Sequence, residues 1–180
     1  IMPTGITTQT YRQLLIDAGD LRIGYVNSDN SGTLLSATRG GNTFTIEQEI
    51  REMTVDGAPG PVKGDKRITK VTAKLKANCI EHTPTIWGYA LPAADSTSNP
   101  ATGFTDTTRS NQIVDADYIS SVAIRGVVTG AGADGSYAVL LIRNALNTGN
   151  FELSMADKDE AVVTLEFTGH FLQWLILHVI

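Results

Sequence analysis

The sequence predicts a mainly β fold, a β-sandwich or barrel with one or two short flanking α-helices. Three features carry that prediction. Apolar and polar residues alternate with a period of two in several segments, Gly-, Asn- and Asp-rich turns separate those segments, and only two places carry helix-start signals. With 180 residues, 42% hydrophobic and 18% charged, the chain is long enough for one substantial core and too short to promise two. Residues 1–180 are therefore expected to form a single domain.

Thr10-Tyr11-Arg12-Gln13 has the form of a capping box, with Leu14, Leu15 and Ala18 behind it and Gly19 as a stop, which predicts a short helix over 11–18. Leu21, Ile23 and Tyr25 then alternate before the turn NSDNSG, and a second strand over 33–38 completes a hairpin.

The clearest alternation follows. Over 43–51 one face carries Phe44, Ile46, Gln48 and Ile50, and the other Thr45, Glu47, Glu49 and Arg51. Over 70–79 Val71, Ala73, Leu75, Ala77 and Cys79 share a face, opposite Lys70, Thr72, Lys74, Lys76 and Asn78. Folding these segments together aligns both apolar rows and brings Glu47 and Glu49 near Lys74 and Lys76, so opposite charges meet across the strands. A long antiparallel hairpin is expected, with its loop at 54–67.

Thr83-Pro84 supplies an N-cap and a proline at the first helical position, predicting a second short helix through Ile86, Trp87 and Ala90 until Pro92. The stretch 92–110 is rich in Ala, Ser, Thr, Asn and Pro without a period, and reads as a mobile loop. Three more strands are expected near 118–128, 137–146 and 161–171, with Val163, Leu165 and Phe167 facing inward.

The chemical motifs resolve into plainer features. VDGAPGPVKGDK, Val55 to Lys66, superficially suggests a phosphate-binding loop. Pro59 and Pro61 have no N–H to donate, Gly64 precedes Asp65 rather than Lys-Ser/Thr, and a strand follows where a helix is needed. Asn27, Asp29, Ser31 and Gly32 match half of a calcium loop, yet Thr38 stands where a bidentate Glu is required. The acidic run Asp157 to Glu160 reads as a solvated turn. His82, His170 and His178 are scattered, and Cys79 lies on an apolar strand face. No catalytic, cofactor or metal constellation emerges, and no cofactor is expected.

Fourteen basic against nineteen acidic residues give the wrong overall sign for gripping nucleic acid by its phosphates. The first ten residues lack a signal-peptide pattern and no apolar run reaches the length of a membrane span, so a soluble protein without membrane anchor is expected. The last ten residues, FLQWLILHVI, are eight-tenths apolar, which asks for a cover. Phe171, Trp174, Leu175 and Leu177 are the candidate subunit-interface residues.

Two stretches, EIREMTVDGAPGPVKGDKRITKVTAKLK (Glu49 to Lys76) and MADKDEAVVTLEFTGHF (Met155 to Phe171), resemble the major tail, or tail tube, proteins of long-tailed bacteriophages. LLIDAG and ATRGGNTFTIEQ extend the resemblance over most of the chain outside the 92–109 stretch and the last ten residues. The resemblance implies a structural virion protein, assembled in the bacterial cytoplasm, whose hexameric rings stack into the tail tube. Its partners would be further copies of itself, the tape measure protein, and the tail terminator and distal tail proteins, with DNA passing through unbound.

In that family the loop between the two long strands reaches the neighbouring ring, which here maps to Val55, Asp56, Pro59, Pro61, Lys63, Asp65 and Lys66. Glu47, Glu49, Glu152 and Glu166 are candidate lumen carboxylates, since an acidic wall repels phosphate; pairing with Lys70, Lys74 or Lys76 is the competing reading. A related machine, either a type VI secretion tube or a tail connector, is the alternative, and a monomeric β-sandwich binding module a more distant one. If FLQWLILHVI is a subunit contact, deleting Phe171 to Ile180 abolishes rings seen by negative-stain microscopy. Rings formed by the truncated chain would remove these residues from the interface.

Overall fold

The computed structural model describes residues 19–53, 56, 60, 63–128, 137–155 and 157–170. The expected helix over 11–18, the Gly-rich turn after residue 128 and the apolar C-terminal segment lie outside the described residues. Among the described residues, ten strands and one short α-helix make a mainly β structure with antiparallel pairing throughout: β1 (Asp20–Val26), β2 (Ser31–Ser36), β3 (Thr43–Glu52), β4 (Lys66–Cys79), α1 (Pro84–Ala90), β5 (Ala94–Asn99), β6 (Phe104–Arg109), β7 (Ile119–Val127), β8 (Tyr137–Asn147), β9 (Leu153–Ser154) and β10 (Val162–Gly169).

The main sheet runs β2-β1-β7-β8-β10-β4-β3, with β9 pairing β10. It curls back on itself. Just after β2 the chain leaves one edge and bonds to the far end of β4: Arg39 N donates to the Asn78 carbonyl at 3.0 Å and Ile80 N to the Ala37 carbonyl at 3.1 Å. Gly40 and Gly41, at φ +84° and +85°, then turn the chain so that β3 continues along the same edge of β4.

Inside the curl, Leu75, Ala77 and Cys79 of β4 meet Val163, Leu165 and Phe167 of β10, Val122 of β7, Ile142 of β8 and Leu21 of β1, all essentially without solvent contact. The period-two expectation for β4 and β10 describes this packing. Helix α1 closes one side with Ile86 and Ala90. Thr83 caps it as the sequence implies, its Oγ1 accepting from Ile86 N at 3.3 Å, with Pro84 in the first turn.

Three expectations change. The stretch 92–110, read as a loop, contains the separate β5–β6 hairpin, with Asp95 opposite Thr108 and Thr97 opposite Asp106. Nearly every side chain in this arm is exposed, so it has no buried face to produce an apolar period. Its tight turn is stapled by the Asn99 carbonyl, which accepts from Thr102 and Gly103, and Gly103 adopts φ +72°.

Second, β4 begins at Lys66 rather than 70, so Lys66 and Arg67 belong to the strand and not to the 54–67 loop. Third, Tyr25 does not share the face of Leu21 and Ile23. Gly24 at φ +64° interrupts the alternation and sends Tyr25 to a second apolar cluster with Ala123, Val139 and Leu141.

Asn147 ties the layers together. Only 3% exposed, it donates from Nδ2 to the Ala90 carbonyl at 2.6 Å and accepts at Oδ1 from Glu166 N (3.0 Å) and Gly149 N (3.2 Å). Asn147→Leu leaves the Ala90 carbonyl and the Glu166 and Gly149 N–H groups without their side-chain partner, and stability in urea unfolding is expected to fall by about 3 kcal/mol. Unchanged stability would mean that the helix is not anchored through this side chain.

Candidate assembly surfaces

β4 outruns the body of the domain. From Lys74 to Cys79 it bonds to β10 on one side, whereas from Lys66 to Thr72 its only strand neighbour among the described residues is β3. The distal part of β3–β4 is thus a two-stranded ribbon, and every side chain described from Glu47 to Met53 and from Lys66 to Val71 is exposed.

One face of this ribbon is apolar. The row Phe44–Leu75 and Ile46–Ala73 starts at the core and continues outward as Gln48–Val71 and Ile50–Ile68. Ile68 lies three residues from Val71, which in an unbroken strand puts it on the opposite face. A bulge at Thr69 restores it: Glu49 pairs with Lys70 and Ile50 with Ile68, while Thr69 Oγ1 donates to the Glu49 carbonyl at 3.1 Å. The result is a hydrophobic strip in water, with Ile50 and Ile68 each 58% exposed. Sequence reading missed it, because the alternation over 70–79 stops before Ile68.

The other face carries charge. Lys74 Nζ lies 2.9 Å from Glu47 Oε1, and Lys70 Nζ 3.7 Å from Glu49 Oε1. Glu49 therefore meets Lys70 rather than Lys76, which is the register partner of Glu166. The hydrogen bond that Lys74 donates to Glu47, then the charge of that carboxylate, raises the Lys74 ammonium pKa above the ordinary lysine value. Glu47, Glu49 and Glu166 thus share one face but stand beside Lys70, Lys74 and Lys76. Glu152 is exposed just before β9 and outside that row.

Farther out, Arg51 lies directly across from Arg67. Lys66 reaches toward Glu52 at 3.9 Å, and the Asp65 carbonyl accepts from Met53 N, closing the base of the loop. Asp56 and Lys63 sit in exposed turns. Val55, Pro59 and Pro61 lie outside the described residues, as do Phe171, Trp174, Leu175 and Leu177.

Elsewhere, Arg39 bridges the β2–β3 link to the acidic turn through Asp159 (2.8 Å) and Glu160, and its hydrogen bond, then its charge, holds the Asp159 carboxyl below the usual range. His82 Nε2 contacts the Ala161 carbonyl, and the His170 ring packs edge-on against Tyr118. Cys79 is buried, and desolvation raises its thiol pKa. A cleft of about 330 Å³ between α1 and the base of the arm is lined by Tyr89, Leu91, Pro92, Ile119 and Leu146, with Asp117 on its wall. No helix among the described residues is long and apolar enough to cross a membrane.

Compared with known proteins, the chain matches no family model and no curated protein. Its surfaces therefore have to be read from their own chemistry.

If the Glu47–Lys74 contact forms in solution, the Lys74 ammonium titrates above the ordinary lysine value in an NMR pH series, and Glu47→Gln lowers it. Identical titration in both proteins would show the contact to be absent.

Proposed function

We propose that this protein is a self-assembling structural subunit, the tail tube protein of a long-tailed phage, whose hexameric rings stack into a tube that encloses the tape measure protein and then conducts DNA. The observation that carries this reading is the apolar strip of Ile50, Ile68 and Val71, projected on a ribbon beyond the body. A monomer gains no stability from it, while a neighbouring copy that covers it removes it from water.

The open sides of the sheet support the same reading. Among the described residues β3 is a ten-residue edge strand and β2 is the other edge, with Leu34 55% exposed. Long unpaired edges invite pairing with further strands, and a heterologous contact between unlike edges closes into a ring when its rotation allows. The resemblance of the ribbon sequence and of Met155 to Phe171 to tail tube proteins supports this reading of the assembly. Near the body, Lys70, Lys74 and Lys76 of the charged face stand beside Glu49, Glu47 and Glu166, which supports a surface there that does not hold phosphate.

Negative-stain microscopy of the concentrated protein is expected to show rings or tubes with a central hole. Ile50→Lys together with Ile68→Lys should leave far-UV circular dichroism unchanged and abolish those assemblies. A wild-type chain that stays monomeric by light scattering across salt and concentration would overturn the reading.

A further inference from the structure

The molecule carries two projecting ribbons of opposite character. Between Thr43 and Cys79 seven lysines and arginines stand against five carboxylates, so this segment is basic within an acidic chain. From Pro84 to Asp117 the balance reverses, with Asp95, Asp106, Asp115 and Asp117 against Arg109.

The excess is concentrated at like-charged neighbours. Arg51 and Arg67 are directly opposite each other on the charged face of β3–β4, both exposed. Neither guanidinium has a hydrogen bond or ion pair among the described residues, although Glu49 and Glu52 nearby are each paired with a lysine. On the β5–β6 arm, Asp95 is opposite Thr108 and Asp106 opposite Thr97. The two aspartates are therefore diagonal neighbours on one face, roughly 7–8 Å apart at Cα. Both are exposed, and neither carboxylate has a partner among the described residues. Phe104, 73% exposed, lies on the same face two residues before Asp106.

Like charges facing each other across a hairpin destabilise it. One chain thus holds a directly opposed cationic pair and a diagonal anionic pair, each on an exposed two-stranded ribbon. Their spacings are compatible, since arginine side chains from directly opposite positions can fan out to carboxylates on a diagonal, each guanidinium taking one carboxylate in a two-pronged bond. Phe104 adds a ring face for a guanidinium.

We propose that the Arg51–Arg67 pair of one copy docks on the Asp95–Asp106 face of the arm of a second copy. The contact is heterologous, so each chain gives one surface and receives the other, and it propagates from copy to copy. It rests on the self-assembly reading and assigns the arm a role as receiver of the neighbour's ribbon.

The test is charge exchange. Arg51→Glu with Arg67→Glu, and separately Asp95→Arg with Asp106→Arg, are each expected to raise the protein concentration needed for assembly on the order of tenfold or more, as read by light scattering and microscopy. Combining all four substitutions in one chain is expected to restore wild-type assembly. Circular dichroism checks each fold, and Arg→Gln and Asp→Asn versions replace any variant that fails it.

Wild-type assembly in the single-surface variants, or a combined variant no better than the worse of them, would overturn the proposal while leaving assembly through the apolar strip intact. If the Arg51→Glu, Arg67→Glu chain assembles normally but binds a heparin column less, the pair serves phosphate or sulfate and the proposal falls. A wild-type chain that never assembles removes both readings together.

Discussion

β4 pairs with β3 from Lys66 to Lys76, yet β10 accompanies it only from Lys74 to Cys79. That mismatch in length governs the rest of the molecule. Where β4 has neighbours on both sides, its alternate residues Leu75, Ala77 and Cys79 are sealed by β10 and by the curled sheet. Where it has one, the same alternation continues into solvent. The core and the exposed strip are successive parts of one pattern, separated only by where the second neighbour ends.

The bulge at Thr69 shows that the pattern is maintained beyond the body. An unbroken strand would put Thr69 on the apolar face and Ile68 among the charges. The extra residue reverses this, placing Ile68 beside Ile50 and aligning Arg67 with Arg51. A single irregularity thus defines both surfaces of the ribbon, the hydrophobic strip on one face and the paired guanidinium groups on the other.

The same logic separates this ribbon from the β5–β6 arm. Both are two-stranded, and an isolated hairpin is marginal in water. The β3–β4 ribbon is continuous with the core through its strands. The arm instead rests on α1, which Thr83 caps and Asn147 fixes to β8 and β10. Its strands hold Ser, Thr and Asp almost throughout, so it contributes polar edges and charge rather than a core.

The β class, the strands β7, β8 and β10, the capped helix and the inward faces of β4 and β10 were legible in the sequence, because burial on one side forces a period of two and a helix start needs particular residues. The arm was not, since strands exposed on both faces leave no apolar rhythm in composition. Register irregularities were equally hidden: Gly24 turning Tyr25 away from the core and Thr69 restoring Ile68 depend on which residues face one another across a ladder. Glu47 and its lysine followed from alternation, but the choice of Lys70 for Glu49 followed from the register of the ladder, which sets Glu49 directly across from Lys70. Local alternation determined which side chains could be buried. Only the tertiary pairing decided where burial stops, because exposure of Ile50, Ile68 and the arginine pair depends on how far β10 runs alongside β4.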